Sequence, residues 1–492
     1  MSHTHEDHPQ KITPLQWFII ALGAVALAVL MYFSLTGHAH GEHGGGHGHG
    51  DDEHLPSMWS VIPFVGLLLS IALLPLIPAT MHWWESNKNR LMVAMCFGAI
   101  TLAYYLFSYG GAKVFTVLEH AVLAEYIPFI VLLFSLYVIS GGISLKGDLA
   151  AHPVTNTSFI AVGALIASFV GTTGASMLLI RPLLQTNSER KHVKHTVIFF
   201  IFLVSNIGGC LLPIGDPPLF LGYLKGIPFL WTLGLWVPWL VTVIVGLVVY
   251  FVWDTIAYRK EEKKDIARDE RQITRLSLKG NVNFLWLIGV VLCVGLVKPG
   301  EEFFGLFVPF PFMREVLMLA LVGLSLLFTS KKIRTDNDFN YHAILEVAAL
   351  FIGIFICMQA PIGILQGSGE TLAKVFTSPM HFFWATGSLS SFLDNAPTYV
   401  VFFETAASMP PPEGAAMVPL PHGAIPEVYL IAISLGAVFM GAMTYIGNGP
   451  NFMVKSIAEQ SGIKMPSFFG YMIYSVAILI PIFIVVTLIF IH

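Results

Sequence analysis

The chain has 492 residues, of which 55% are hydrophobic and only 11% charged, with a formal net charge of −4. Globular chains carry about 25% charged residues, and no polar stretch here is long enough for a soluble domain, so a water-soluble enzyme with one or two anchors is excluded. A nucleic-acid binder is excluded too, since it needs a basic face. What remains is an all-α polytopic membrane protein whose main partner is the lipid bilayer.

The first apolar run, about residues 13–35, reads as a signal anchor or a cleaved signal sequence. Behind it lies TGHAHGEHGGGHGHGDDEH, with His38, His40, His43, His47, His49 and His54 spaced by glycines. Imidazole suits zinc, nickel and copper, but flexible glycine spacing fixes no coordination geometry. A loop that buffers metal loosely is expected there. Residues 1–57 are thus an addition to the main body.

A span needs about 20 apolar residues, and about eleven runs qualify. After the first they fall near 58–79, 91–108, 127–145, 196–225, 229–257, 282–298, 314–330, 343–365, 426–456 and 467–491. Two more stretches, about 158–183 and 381–407, are interrupted by small and polar residues and read as re-entrant hairpins. Cys96, Cys210, Cys293 and Cys357 lie far apart in apolar runs and read as packing residues.

Lys and Arg gather near 85–90, 188–195, 258–280 and 330–334, which sets those loops in the cytoplasm. The poorly charged loops 109–126, 366–380 and 408–425 then face outward. The two sets agree only if each interrupted stretch returns to the side it entered from. The amino terminus falls inside and the carboxyl terminus outside, in a cell (inner) membrane. The segment 258–281 is expected to be a solvated amphipathic helix with alternating charges.

The chain repeats itself. HAVL at 120–123 returns as HAIL at 342–345, an offset of 222. SFVGTTGASMLLIRP at 168–182 aligns with SFLDNAPTYVVFFET at 391–405, an offset of 223. PIGDPPLFL at 213–221 aligns with YIGNGPNFM at 445–453, an offset of 232, the proline-rich loop 409–423 supplying the extra residues. Residues 58–257 and 282–492 therefore form two repeats, each with a hairpin and a broken span, and the loop charges give them opposite orientations. Inverted repeats with interrupted helices are the plan of secondary transporters, whose sites lie near the bilayer midplane.

Four interruptions carry the polar chemistry. The first hairpin tip has Gly171, Thr172, Thr173 and Gly174, and the first broken span has Ser205 and Asn206, then Gly215, Asp216, Pro217 and Pro218. The second hairpin tip has Asp394, Asn395, Pro397 and Thr398, and the second broken span has Gly447, Asn448, Gly449, Pro450 and Asn451. Proline and glycine stop a helix, and irregular backbone survives at membrane depth only where it is buried in protein or lines a wet cavity. Small residues alone also serve close helix packing. Packing does not explain Asp216 and Asp394, because a carboxylate at the bilayer centre costs about 2.5–3.5 kcal/mol on insertion scales. These acids are expected to bind an ion or a proton, with Thr172, Thr173, Ser205, Asn206, Asn395, Thr398, Asn448 and Asn451 as neutral ligands. Arg181 and Glu404 occupy matched hairpin ends and either pair with one another or sit at interfaces. His342 with Glu346, and His120 with Glu125, are candidate proton relays near span ends, where solvated titratable groups are also ordinary.

The segments GTTGASMLLIRPLL, SNIGGCLLPIGDPPLFLGYLKG, SFLDNAPTYVVFF and IGNGPNFMVKSIA resemble those of NhaD-type sodium/proton antiporters. That family belongs to the ion-transporter superfamily, with arsenite permeases and citrate or dicarboxylate carriers as relatives. The resemblance spans about 58–492. It implies exchange of Na⁺, or Li⁺, for H⁺ as cargo, no cofactor and a homodimer. Carboxylate carriers of the superfamily cradle their substrate in Ser-Asn-Thr hairpin tips. GTTGAS and LDNAPT stand here instead, and an acid at a tip repels an anion. The alternatives are a sodium-coupled carrier of a small carboxylate, an oxyanion efflux permease, an intramembrane aspartyl hydrolase using the two acids, and a metal sensor built on the histidine loop.

Overall fold

The computed structural model describes residues 55–298, 300, 302, 307–421 and 423–491; the expected first span and the histidine loop lie outside them. Among the described residues, seven helices are long and apolar enough to cross a bilayer: Asn87–Tyr109, Gly111–Ser140, Pro153–Val170, Lys194–Leu211, Trp231–Tyr258, His342–Gln366 and Phe468–Phe490. Met58–Leu73, Val282–Leu296 and Glu427–Met443 are shorter apolar helices. Helices dominate because hydrocarbon offers no partner to an unpaired peptide group. The protein is an all-α, multi-pass membrane protein, with sheet among the described residues confined to two small ribbons.

Both interrupted stretches are helical hairpins. Pro153–Val170 turns into Thr172–Thr186 at Gly171, whose φ of +79° favours glycine. Pro379–Phe392 turns into Asn395–Ser408 differently: the Asp394 carboxylate caps the second arm, accepting from the Ala396 N–H at 3.0 Å. Both broken spans follow one plan. The helix Lys194–Leu203 passes through a tight turn, Ile207–Leu211, and a second turn at 213–215 to an extended Asp216, and restarts as Pro217–Leu224. Glu427–Met440 passes through Gly441–Met443 and restarts at Gly449–Gln460.

Matched positions of the repeats meet. Phe129 stacks on Phe351 with ring centroids 4.7 Å apart, and the Tyr126 hydroxyl donates to the Ala348 carbonyl at 2.9 Å. Both pairs are separated by 222 residues, the offset of HAVL and HAIL. Equal offsets in both contacts are what a twofold relation between the repeats would produce.

Two expectations fail. Residues 109–126 are not a loop: beyond Gly110, helix runs through Gly111–Leu118 and wider turns at Glu119–Tyr126 into Ile127–Ser140. Scarcity of positive charge marks a side of the membrane, not an absence of helix. The linker is not one amphipathic helix either. Only Lys263–Asp269 is helical, and Thr274–Lys279 pairs antiparallel with Ser144–Asp148. TRLSLK alternates with period two, the habit of a strand, and its partner lies some 130 residues earlier, beyond the reach of local pattern. The loop at 408–425 likewise carries a ribbon, Met417–Leu420 against Gly423–Pro426.

Candidate functional site

All four interruptions converge on Asp216. Its backbone is extended (φ −144°, ψ 141°) because Pro217 and Pro218 open the next helix, and its side chain is 1% exposed. The Thr172 hydroxyl, from the first hairpin tip, donates to Oδ1 at 2.9 Å. The Asn448 amide, from the second broken span, donates to the same oxygen at 2.9 Å. The Asn395 amide, from the second hairpin tip, donates to Oδ2 at 2.7 Å. The Thr172 N–H also donates to the Gly215 carbonyl at 2.9 Å, which fixes the first tip against the break. Among the described residues, no Lys, Arg or His lies within ion-pair distance of Asp216 or Asp394. A fully buried carboxylate held by neutral donors alone is rare in a packed interior, where charges are paired or bind metals.

Further oxygens lie beyond these donors. Asn206 donates to the Asn451 Oδ1 at 2.7 Å and to the Ile201 carbonyl at 2.8 Å, leaving its own Oδ1 buried without a donor. That oxygen faces Gly441: a Cβ built there would stand 3.0 Å from it, 3.4 Å from the Gly447 carbonyl and 3.5 Å from the Asn395 Nδ2. Asn451 spends its amide on the Gly441 and Thr444 carbonyls. The Ser205 hydroxyl meets that of Ser176 at 2.8 Å, and the Ser205 carbonyl accepts from Asn448 at 3.3 Å. An orphaned amide oxygen, main-chain carbonyls and a carboxylate are the donor set of a hard cation.

Other expected residues stand apart. Asp394 is half-buried one position before Asn395 and uses Oδ1 as a helix cap. Thr398 donates to the Asp394 carbonyl at 2.9 Å, inside its own helix. Thr173 is half-buried beside the first tip. Gly174 packs against Ser140, while Pro397 and Pro450 sit in the first turns of their helices. The relay candidates are engaged elsewhere: Glu346 with Arg90 at 2.9 Å, and Glu125 with Lys225 at 2.8 Å, while His120 lies 4.0 Å from Glu125. His342 is exposed. Arg181 and Glu404 do not pair with one another; Arg181 reaches Asp338 at 3.2 Å and Glu404 reaches Lys225 at 2.9 Å.

Sequence reasoning missed the Glu125–Lys225–Glu404 cluster and a second one, Arg190 with Asp254 at 2.7 Å and His195 with Asp254 at 2.8 Å. One signal was available for the latter. Asp254 is the lone acid of an apolar 23-residue helix, Trp236–Tyr258.

Residues 52–491 match the model of the CitMHS_2 family, described as "Putative citrate transport". The chain belongs to this family. Membership makes the chain a secondary transporter of the ion-transporter superfamily. No curated protein matches the chain.

Proposed function

We propose that this transporter exchanges Na⁺, or Li⁺, for H⁺, as the NhaD-type antiporters it resembles do, with Asp216 as the ligand both ions use. One observation carries the reading: Asp216 is buried among all four helix breaks and bonded only to neutral donors. A carboxylate without a fixed cation is free to take a mobile one. Sodium on Asp216 would draw in the unpaired Asn206 Oδ1 and nearby carbonyls. The Thr172 hydroxyl can turn a lone pair toward the ion, and the Asn448 and Asn395 amides can rotate to present oxygen. A proton on Asp216 occupies the same oxygens, so the two cargoes exclude each other. Asp394, at the second tip, adds negative potential beside the ligand Asn395 without contributing its capping oxygen.

The family description favours a second reading, transport of citrate. Against it stand the hairpin-tip donors Thr172 and Asn395, which are already spent on the protein's own carboxylate. A tricarboxylate here would face two acids and no paired base. The two readings separate in vesicles that contain the purified protein. Antiport predicts dequenching of an internal pH dye on addition of Na⁺ or Li⁺ and no uptake of labelled citrate. Citrate uptake without a cation-driven pH signal would overturn it.

A further inference from the structure

Outside the Asp216 cluster, one buried polar arrangement sets Lys225 between two acids. Its ammonium lies 2.8 Å from the Glu125 Oε1 and 2.9 Å from the Glu404 Oε1. The outer oxygens accept amide hydrogens: Gln359 donates to the Glu125 Oε2 at 2.9 Å and Gln366 to the Glu404 Oε2 at 3.2 Å. Gln359 and Gln366 are seven residues, two turns, apart on His342–Gln366. Glu125 is 4% exposed and Glu404 is 7% exposed.

The placement of these residues is more telling than their charge. Lys225 follows the last turn of Pro217–Leu224, the helix that starts at Asp216. Glu404 lies on Asn395–Ser408, the helix that starts at the Asp216 ligand Asn395. Site and bridge are nine residues apart on each, so on both rods about 13 Å separates them. The rods pack directly, with the Tyr399 hydroxyl where a Cβ on Gly222 would stand. They are therefore joined at both ends: by the Asn395–Asp216 hydrogen bond at the site and by Lys225–Glu404 at the far end. Glu125 belongs to neither rod; it comes from the Gly111–Ser140 helix, which packs on His342–Gln366. A buried ion triad stabilises a fold no better than packed apolar side chains, so its effect is felt where it pins the rods.

We propose that Lys225 and Glu404 are positioning residues for the Asp216 site, and that the Lys225–Glu125 contact is the latch fastening the two rods to the surrounding helices. Glu404 sets the angle between the rods and hence the approach of Asn395 to Asp216. Glu125 sets how readily the rods shift as a unit. The assignment of ion affinity rests on the antiport reading; the latch itself does not.

The test uses the full chain in lipid nanodiscs and in vesicles, as wild type, Glu125→Gln, Glu404→Gln, Lys225→Gln and the Glu125→Gln/Lys225→Gln double variant. In vesicles, Glu404→Gln is expected to raise the Na⁺ concentration for half-maximal exchange by about three- to tenfold, the range that follows loss of a site-directing contact. Glu125→Gln is expected to leave that concentration unchanged and alter the maximal rate. In nanodiscs, Glu125→Gln should speed amide hydrogen exchange across 217–226 while leaving 153–170 unchanged. Adding Glu125→Gln to Lys225→Gln should produce no further change. The proposal is overturned if the two glutamate variants shift affinity and rate alike, if 217–226 is unaffected by Glu125→Gln, or if the Glu125 effect persists undiminished without Lys225. A wild type that gives no cation signal overturns the antiport reading; the amide-exchange arm then still decides the latch.

Discussion

Asp216 and Asn448 occupy equivalent places in the two halves, and their backbones are nearly superposable: φ −144° and ψ 141° in one, φ −154° and ψ 142° in the other. Each precedes a proline-bearing helix start, and each follows a glycine. Yet one side chain is an acid and the other its amide, and the amide donates to the acid at 2.9 Å. The hairpin tips differ in the opposite sense, with Gly171 in the first half and Asp394 in the second. A symmetric frame thus carries an asymmetric site. Near a pseudo-twofold axis, two identical acids would repel, whereas an acid and an amide complete one another. The repeat builds the frame, and the departures from the repeat set the chemistry of the polar cluster it holds.

The strongest way to break this comparison is to erase the departure. Asp216→Asn sets an amide against three neighbours that already donate. Hydrogen bonds to a charged group contribute about 1.5–3 kcal/mol each, and 1.4 kcal/mol is a factor of ten, so cation-driven proton exchange should fall by about 100-fold or more. Moving the acid to the other half, Asp216→Asn with Asn448→Asp, should recover activity to within about tenfold of wild type, because the recipient backbone has the same geometry. A double variant as inactive as the single one would show that the halves are not interchangeable at this point. Dye dequenching in vesicles measures both.

Next come the glycines that bring the breaks together. A Cβ on Gly215 would collide with the Gly209 carbonyl and stand 2.9 Å from the Ser168 Cα, both backbone. Gly215→Ala should therefore cost folding, seen as lost monodisperse protein and a lower melting temperature. Gly441, the partner of Gly209 across the repeat, has its closest neighbour at 3.0 Å, and that neighbour is the unpaired Asn206 Oδ1. Gly441→Ala should fold and weaken cation binding, since overpacking costs about 1–3 kcal/mol. Equal damage from both would remove the distinction between frame and site.

Asp394 sharpens the tip comparison with a smaller effect. Asparagine caps a helix about as well as aspartate, so Asp394→Asn should leave thermal stability almost unchanged. Any loss of exchange then reports the charge alone. We expect about tenfold, less than for Asp216→Asn, because Asp394 is half-buried and spends one oxygen on Ala396.

How much of this was readable in the sequence depends on how local the cause is. The breaks were legible because glycine, proline and a polar residue inside an apolar run are faults visible within ten residues. Asp216, Thr172, Asn395 and Asn448 could be singled out for that reason, and the repeat suggested that they meet. The Glu125–Lys225–Glu404 cluster was not legible. Its members are far apart in sequence, and each sits near the edge of an apolar run, where a charge is ordinary. The strand at 274–279 was hidden likewise, since its pairing edge at 144–148 lies some 130 residues earlier, in the first repeat. Asn206 was picked out as a ligand, but its orphaned oxygen is a matter of three-dimensional accounting, available only once Asn451 and Ile201 are seen to take its amide.

The smallest effect belongs to the hairpin ends, where the repeat sets Arg181 opposite Glu404 in the alignment. Glu404 is buried and shares Lys225, whereas the partner of Arg181, Asp338, is 79% exposed. Exposed ion pairs contribute about 0.2–1 kcal/mol. Arg181→Gln should therefore lower the melting temperature by a few degrees at most and leave exchange kinetics untouched. Glu404→Gln should change the kinetics even where the melting temperature holds. The two positions descend from one place in the repeat, so a matching kinetic defect in Arg181→Gln would mean that both hairpin ends hold the site. Its absence would mean that only the second hairpin, which brings Asn395 to Asp216, is held from its far end.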